Sequence, residues 1–260
     1  MPHVSRVLDY LLGGTANTEA DRQVAEHAFA GWPGEVGGVD GVRLDIGSAR
    51  RALERIVTYL VSEAGVGQFL DIASGLPTMG NVHLTAQSLD PAAKVVYVDN
   101  DPVVVDYSRQ LLSDSGAQHV WYLGNDMHDP AAILAEAGRH LDFDRPVGLV
   151  LFGILHFIDD DAVAGKLARQ LHDALCPGSY VAVSHFARAD GDQAMDETFE
   201  QLNQQWGESI TRRTRAQVEA LLEPLQLVTP GIVELPDWRP PAAHTGPRPL
   251  PMWCGLAVKA

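Results

Sequence analysis

Between residues 68 and 184 the chain repeats one unit: a short apolar run followed by a helical pattern. The runs lie at 68–72, 94–98, 120–123, 147–152 and 179–184, and helical patterns fill 78–88, 102–113, 130–137 and 159–175. Strands that alternate with helices in this way return to the same end of a sheet and pair in parallel. A parallel sheet with helices on both faces is therefore predicted. In such a sheet the carboxyl ends of the strands form the rim where ligands bind.

Three carboxylates stand at that rim. Asp71 lies near the end of the first run, Asp99 ends the second and Asp126 follows the third, at intervals of 28 and 27 residues, each about one strand–helix unit. An acid ending the second strand is placed to accept both hydroxyls of a ribose. One ending the third can accept the exocyclic amino group of adenine, and Asp71 can hold an ammonium. The turn after the first strand, Ala73-Ser74-Gly75, is built of small residues that allow close approach to the backbone. Pro77 suits the first position of the following helix. The turn lacks the Gly-x-Gly-x-x-Gly pattern that brings backbone to a pyrophosphate, and an acid ahead of it repels phosphate. Both features favour a cationic ligand, S-adenosylmethionine, over NAD, which stays as the rival reading.

Composition narrows the partners. A formal charge of -15 argues against nucleic acid, which needs a basic face, and against an anionic membrane. No apolar run approaches the length of a membrane span, and the first six residues lack the apolar core of a signal peptide. Cys176 and Cys254 belong to no metal or redox pattern and fit a reduced, cytoplasmic protein. No metal site is expected.

The flanking segments differ from the repeat. Residues 4–12, 19–30 and 46–64 read as helices, with Thr18 or Asn17 capping the second and a glycine-rich loop over 31–41. They form an N-terminal helical cap over residues 1–65, ahead of a sheet domain at 66–260. Beyond 185, helices are expected at 192–205 and after the capping box Thr214-Arg215-Ala216-Gln217. Strands follow at 227–235 and 252–259, joined by a proline-rich loop. Two final strands after the repeat suggest an antiparallel hairpin at one edge. Arg212-Arg213-Thr214-Arg215 is expected as a solvated helix start.

Several motifs carry a resemblance: Asp9-Tyr10-Leu11-Leu12-Gly13-Gly14, Asn17, Asp21-Arg22, Phe69-Leu70-Asp71-Ile72, Ser74-Gly75-Leu76-Pro77-Thr78, Val96-Tyr97-Val98-Asp99-Asn100-Asp101-Pro102, Leu155-His156-Phe157, Pro177-Gly178-Ser179-Tyr180 and Trp238-Arg239-Pro240. With them the chain resembles class I S-adenosylmethionine-dependent methyltransferases. More narrowly, it resembles a bacterial S-adenosyl methyltransferase family, formerly a domain of unknown function. Two departures stand out: Thr15-Ala16 replaces a frequent Lys-Asp pair, and Ala73 stands where the family usually has glycine.

The resemblance implies an α/β, Rossmann-like fold: a seven-stranded, mostly parallel sheet with an antiparallel C-terminal hairpin and an N-terminal helical cap. It implies S-adenosylmethionine as cofactor and a small-molecule methyl acceptor. Cofactor contacts are expected at Tyr10, Gly13, Gly14, Asp71, Ala73, Ser74, Gly75, Asp99, Asn100, Asp126, Met127 and Phe152. His156, after the fourth strand, stands where such enzymes place acceptor-facing groups and is the candidate base. Its alternative is a structural histidine bonded near Asp159-Asp160-Asp161. His185 is a second candidate. A protein that binds the cofactor without turnover is the reading from another class.

Overall fold

A computed structural model of the chain describes residues 4–76, 81–189, 191–206, 209–242 and 245–260. The expected first position of a helix at Pro77, and its start at Thr78, fall outside these residues.

The five apolar runs pair as predicted. Strand β1 (Gln68–Ile72) lies between β2 (Lys94–Asp99) and β4 (Gly148–Phe152); β2 carries β3 (Val120–Gly124) and β4 carries β5 (Tyr180–Phe186), all parallel. The order β3-β2-β1-β4-β5 reverses its winding between β1 and β4, which opens a crevice above their carboxyl ends. The run expected at 227–235 is two strands, β6 (Gln226–Leu227) and β7 (Val233–Glu234), and both pair antiparallel with β8 (Met252–Val258). Pro230 has no N–H to give and Gly231 turns the chain at φ +86°, so one unbroken strand cannot form there. Strand β8 also runs antiparallel to β5 along seven residue pairs. Among the described residues the sheet therefore has eight strands, because the sixth expected strand is interrupted.

Side chains alternate between the two faces of each strand. Phe69, Val95, Tyr97 and Val150 pack on one face and Leu70, Val96, Val98 and Leu149 on the other. The first face is covered by α3 (Gly38–Ser62), α4 (Val82–Leu89) and α5 (Pro102–Ser115). The second is covered by α6 (Pro130–Ala137), α7 (Asp161–Asp173) and α9 (Arg215–Leu221), where α8 (Gln193–Trp206) precedes α9.

Ahead of these lie α1 (Val4–Leu11) and α2 (Glu19–Ala28). Thr18 caps α2 in a reciprocal box with Asp21, and the Arg6 Nε donates to Asp21 at 2.9 Å. Helix α3 begins eight residues before the predicted position 46. Glycines 37, 38 and 41 hide the start, since glycine disfavours a helix interior. Packing overrides that preference: Asp45 is buried and accepts from Trp32 Nε1 at 2.6 Å and from the Leu250 N–H at 2.7 Å. Gly41 leaves the space that the Trp32 ring occupies, 3.3 Å from where a Cβ would stand. The proline-rich loop is fastened to the same helix, with the Arg55 guanidinium donating to the carbonyls of Leu235 and Trp238 at 2.6 and 2.7 Å.

Candidate functional site

The turn that leaves β1 is held from two sides. Asp99, at the end of β2, accepts the Gly75 N–H at 3.1 Å and the Asp101 N–H at 3.0 Å. Tyr122 reaches from β3: its hydroxyl lies 2.7 Å from Ser74 Oγ and donates to the Gly75 carbonyl. The Tyr122 ring stacks on Tyr97 with centroids 5.5 Å apart, and the Tyr97 hydroxyl accepts from the His83 N–H at 2.9 Å. A file of aromatic side chains thus runs under the turn on the face covered by α4 and α5. Tyr97 and Tyr122 lie two and four residues before Asp99 and Asp126, on the strands β2 and β3 that lead to them, so period-2 alternation was their only sequence signal.

Ala73 occupies this turn at φ +56°, a left-handed conformation that strains any residue with a Cβ. Gly75 has φ +65° and open space where its Cβ would be. Replacing Ala73 with glycine relieves the strain but raises the entropy of the unfolded chain. The net expectation for Ala73→Gly is a gain of about 0.5–1 kcal/mol, read from the urea midpoint; a loss of stability would show the left-handed turn to be unstrained.

Burial raises the pKa of Asp71 to about 7, with Asp99 adding to the rise and Arg50 opposing it. Asp99 is also raised, again chiefly by burial. Asp126 differs: its side chain is about half exposed, its Oδ1 accepts the His128 N–H at 2.8 Å, and its pKa is lowered mainly by that bond, with a smaller contribution from Asn100. Asp71, the 73–75 turn, Asp99, Asn100 and Asp126 therefore gather along one rim. Met127 packs into the second core layer, and Phe152, the last residue of β4, is half-buried at the edge of the first.

Tyr10 and Gly14 have partners among the N-terminal helices. The Tyr10 hydroxyl donates to Glu26 at 2.8 Å and its ring lies under Arg43 at 4.9 Å. Gly14 is required locally, because a Cβ there would overlap the buried Asp9 carboxylate. Asn17 bridges the same pair, donating to Asp9 Oδ2 and to the Gly14 carbonyl.

His156 stands in a 3-10 turn, Leu155–Phe157, after β4. It is buried, and its Nδ1 has no hydrogen-bond partner among the described residues. Phe157 and Phe186 lie 4.4 and 4.8 Å from its ring. Burial first, then His185 and Arg213, hold its pKa well below the ordinary value, so it is neutral. The aspartates that follow are engaged elsewhere: Asp159 with Ser209 and Thr211, Asp160 with the N–H groups of Ala162 and Val163, and Asp161 with Arg213.

Of the arginines expected in solvent, Arg215 is exposed and the other two are not. Arg212 and Arg213 are buried, at 8% and 0% exposure. Arg213 donates to Asp161, to the carbonyls of Leu155 and Ile158, and to His185 Nε2. Since arginine only donates, His185 Nε2 is the acceptor, and Nδ1–H donates to the Phe186 carbonyl at 3.0 Å. With both nitrogens committed, His185 is structural.

Burial, with help from Arg213, lowers the His185 pKa to about 4. The unfolded chain, with the ordinary value near 6.5, binds more protons between these limits. The stability from neutral His185 is present above pH 6.5 and is lost as pH falls toward 4, by about 2 kcal/mol between pH 7 and pH 5. His185→Gln should flatten that limb in urea titrations; an equally steep limb would assign the acid sensitivity to other groups.

Known proteins repeat this architecture. A DUF574 family protein from Streptomyces avermitilis is 35% identical, with a TM-score of 0.87 over 100% of this chain and 98% of that one. The crystallised "putative methyltransferase" of Thermobifida fusca YX is also 35% identical, with a TM-score of 0.85 over 99% and 95% of the two chains. A "putative S-adenosyl-L-methionine-dependent methyltransferase" of Mycolicibacterium gilvum is 31% identical over 62% of this chain and 50% of its own. The chain spans about half the length of the curated relatives it matches. Residues 1–260 match the S-adenosyl methyltransferase family, and the chain belongs to it.

Proposed function

We propose that the chain binds S-adenosylmethionine along the acid rim and transfers its methyl group to a small-molecule acceptor. The observation that carries this is the Asp99 carboxylate, half-buried, ending β2 and tied to the Gly75 turn of β1. The residues present fit the cofactor: open space at Gly75, acids rather than phosphate-binding glycines, and a crevice between β1 and β4. When bound, S-adenosylmethionine supplies a methyl group on a cationic sulfur, which leaves as the acceptor attacks.

Each side chain has a task. Asp99 keeps lone pairs free to accept the ribose hydroxyls beside its two backbone bonds. Asp71 accepts the ammonium of the methionyl part. Asn100 and Asp126 meet the adenine edge, while Met127 and Phe152 give apolar flanks. His156, neutral and with an unpartnered Nδ1, takes the proton from an acceptor that must lose one. Catalysis otherwise comes from positioning. The acidic charge, the two free cysteines and the absence, among the described residues, of a helix long and apolar enough to cross a membrane support a cytoplasmic setting.

Calorimetry with S-adenosylmethionine and with NAD tests the cofactor, and release of S-adenosylhomocysteine across a metabolite panel tests turnover. Binding of NAD alone would overturn the reading. Binding without turnover would favour a regulatory role. With an acceptor in hand, His156→Gln is expected to lower kcat by about 100- to 10,000-fold with cofactor affinity unchanged; an unaltered kcat would remove His156 from the chemistry.

A further inference from the structure

Helix α3 carries four arginines, and three are engaged. Arg43 donates to Asp40, Arg51 to Ser48, and Arg55 to the carbonyls of Leu235 and Trp238. Arg50, which is half-buried, has no hydrogen-bond or ion-pair partner among the described residues.

Its position follows from the helix. Arg50, Leu53, Val57 and Leu60 fall on one stripe, and the last three are buried in the core between α3 and the sheet. Leu60 marks the amino ends of the strands, since its Cδ1 lies 3.3 Å from where a Cβ on Gly148 would stand, and Phe69 borders the same spot. Arg50 is ten residues back, about 15 Å along the helix toward the carboxyl ends. Asp71 is only two residues past Phe69, about 7 Å along β1, and by alternation it faces the same helix. The Arg50 side chain leans further toward the helix N-terminus and so stands above Asp71, over the rim. The positive charge is felt at Asp71 and at Tyr97, on the same face.

We infer that Arg50 and Asp71 together form the subsite for a zwitterionic amino-acid group, with Arg50 binding its carboxylate and Asp71 its ammonium. This rests on the cofactor reading above and adds to it a residue from α3. An arginine fork matches a carboxylate in two parallel hydrogen bonds. The cofactor's α-carboxylate is the group of that shape which the rim acids cannot accommodate, because they repel it. Arg50 thereby makes the site selective for a ligand that keeps its carboxylate.

The test compares three ligands by calorimetry: S-adenosylhomocysteine, decarboxylated S-adenosylhomocysteine, which keeps the ammonium alone, and 5′-methylthioadenosine, which lacks both groups. Arg50→Met is expected to weaken S-adenosylhomocysteine 10- to 100-fold while leaving 5′-methylthioadenosine within twofold. It should also erase the preference for the homocysteine ligand over the decarboxylated one. Arg50→Lys, which keeps the charge without the fork, should recover part of the loss and serves in its place if Arg50→Met does not fold. Equal weakening of all three ligands would make Arg50 a structural residue and overturn the inference, as would unchanged affinity for S-adenosylhomocysteine. A wild-type protein that binds 5′-methylthioadenosine and S-adenosylhomocysteine equally overturns the subsite alone. One that binds none of the three overturns the cofactor reading itself.

Discussion

Arg213→Ala is expected to cost about 3–5 kcal/mol of folding stability, the range for removing one partner of a buried charged network. The guanidinium is fully buried and serves four acceptors on three segments. Its loss leaves the Ile158 carbonyl and His185 Nε2 unpaired in the interior and the Leu155 carbonyl with the Ile158 N–H alone, and an unpaired buried polar group is penalised more than a made hydrogen bond is worth. Arg213→Lys should recover only part, because an ammonium cannot span the same fork. Urea denaturation at pH 7 gives the measurement. A loss below about 1 kcal/mol would mean that the network contributes no more than a surface ion pair. Because Leu155 and Ile158 bracket the turn that carries His156, the variant should also release that histidine from its fixed place.

Asp99→Ala is expected to weaken S-adenosylmethionine by about 1.5–3 kcal/mol, the range for hydrogen bonds to a charged group, which is roughly 10- to 150-fold in Kd. The variant loses a ribose acceptor and also frees the Gly75 N–H, so the turn loses one of its two ties. Asp126→Asn should do less, since the amide oxygen still accepts and the side chain is already half exposed. Calorimetry on folded variants ranks the two. Unchanged binding in Asp99→Ala would remove Asp99 from the site, and the reverse ranking would move the adenine contact to the centre of recognition.

The parallel sheet was legible because its signal is local: each strand is a short apolar run with a helix behind it, and parity then fixes which face each residue meets. The rim acids were legible for a related reason, as the strand–helix unit has nearly constant length and brings Asp71, Asp99 and Asp126 to one edge. Contacts between distant segments leave no such trace. Arg213 reads as one of two arginines before a capping box, and nothing nearby announces that β5, α7 and the 3-10 turn close over it. Arg50 had a faint signal, a charged residue on the apolar stripe of Leu53, Val57 and Leu60. The start of α3 was masked by glycines whose cost is offset by Trp32 and Leu250, the latter more than 200 residues away. The motif at residues 9–14 likewise hid local pairings: Tyr10 donates to Glu26, and Gly14 makes room for Asp9.

Strand β8 is made after β5, β6 and β7, yet it lies between β5 and the other two. As the nascent chain leaves the ribosome, the parallel strands can assemble first, and β5 then shows a seven-residue unpaired edge of the kind that recruits other strands. The two-residue strands β6 and β7 cannot cover it, because each finds its partner only in β8. Synthesis therefore passes through a stage in which the cofactor rim is complete while the opposite side of the sheet is adhesive. Emergence of residues 252–258 ends that stage, so the interval between them and β5 sets how long a growing chain depends on protection from its neighbours.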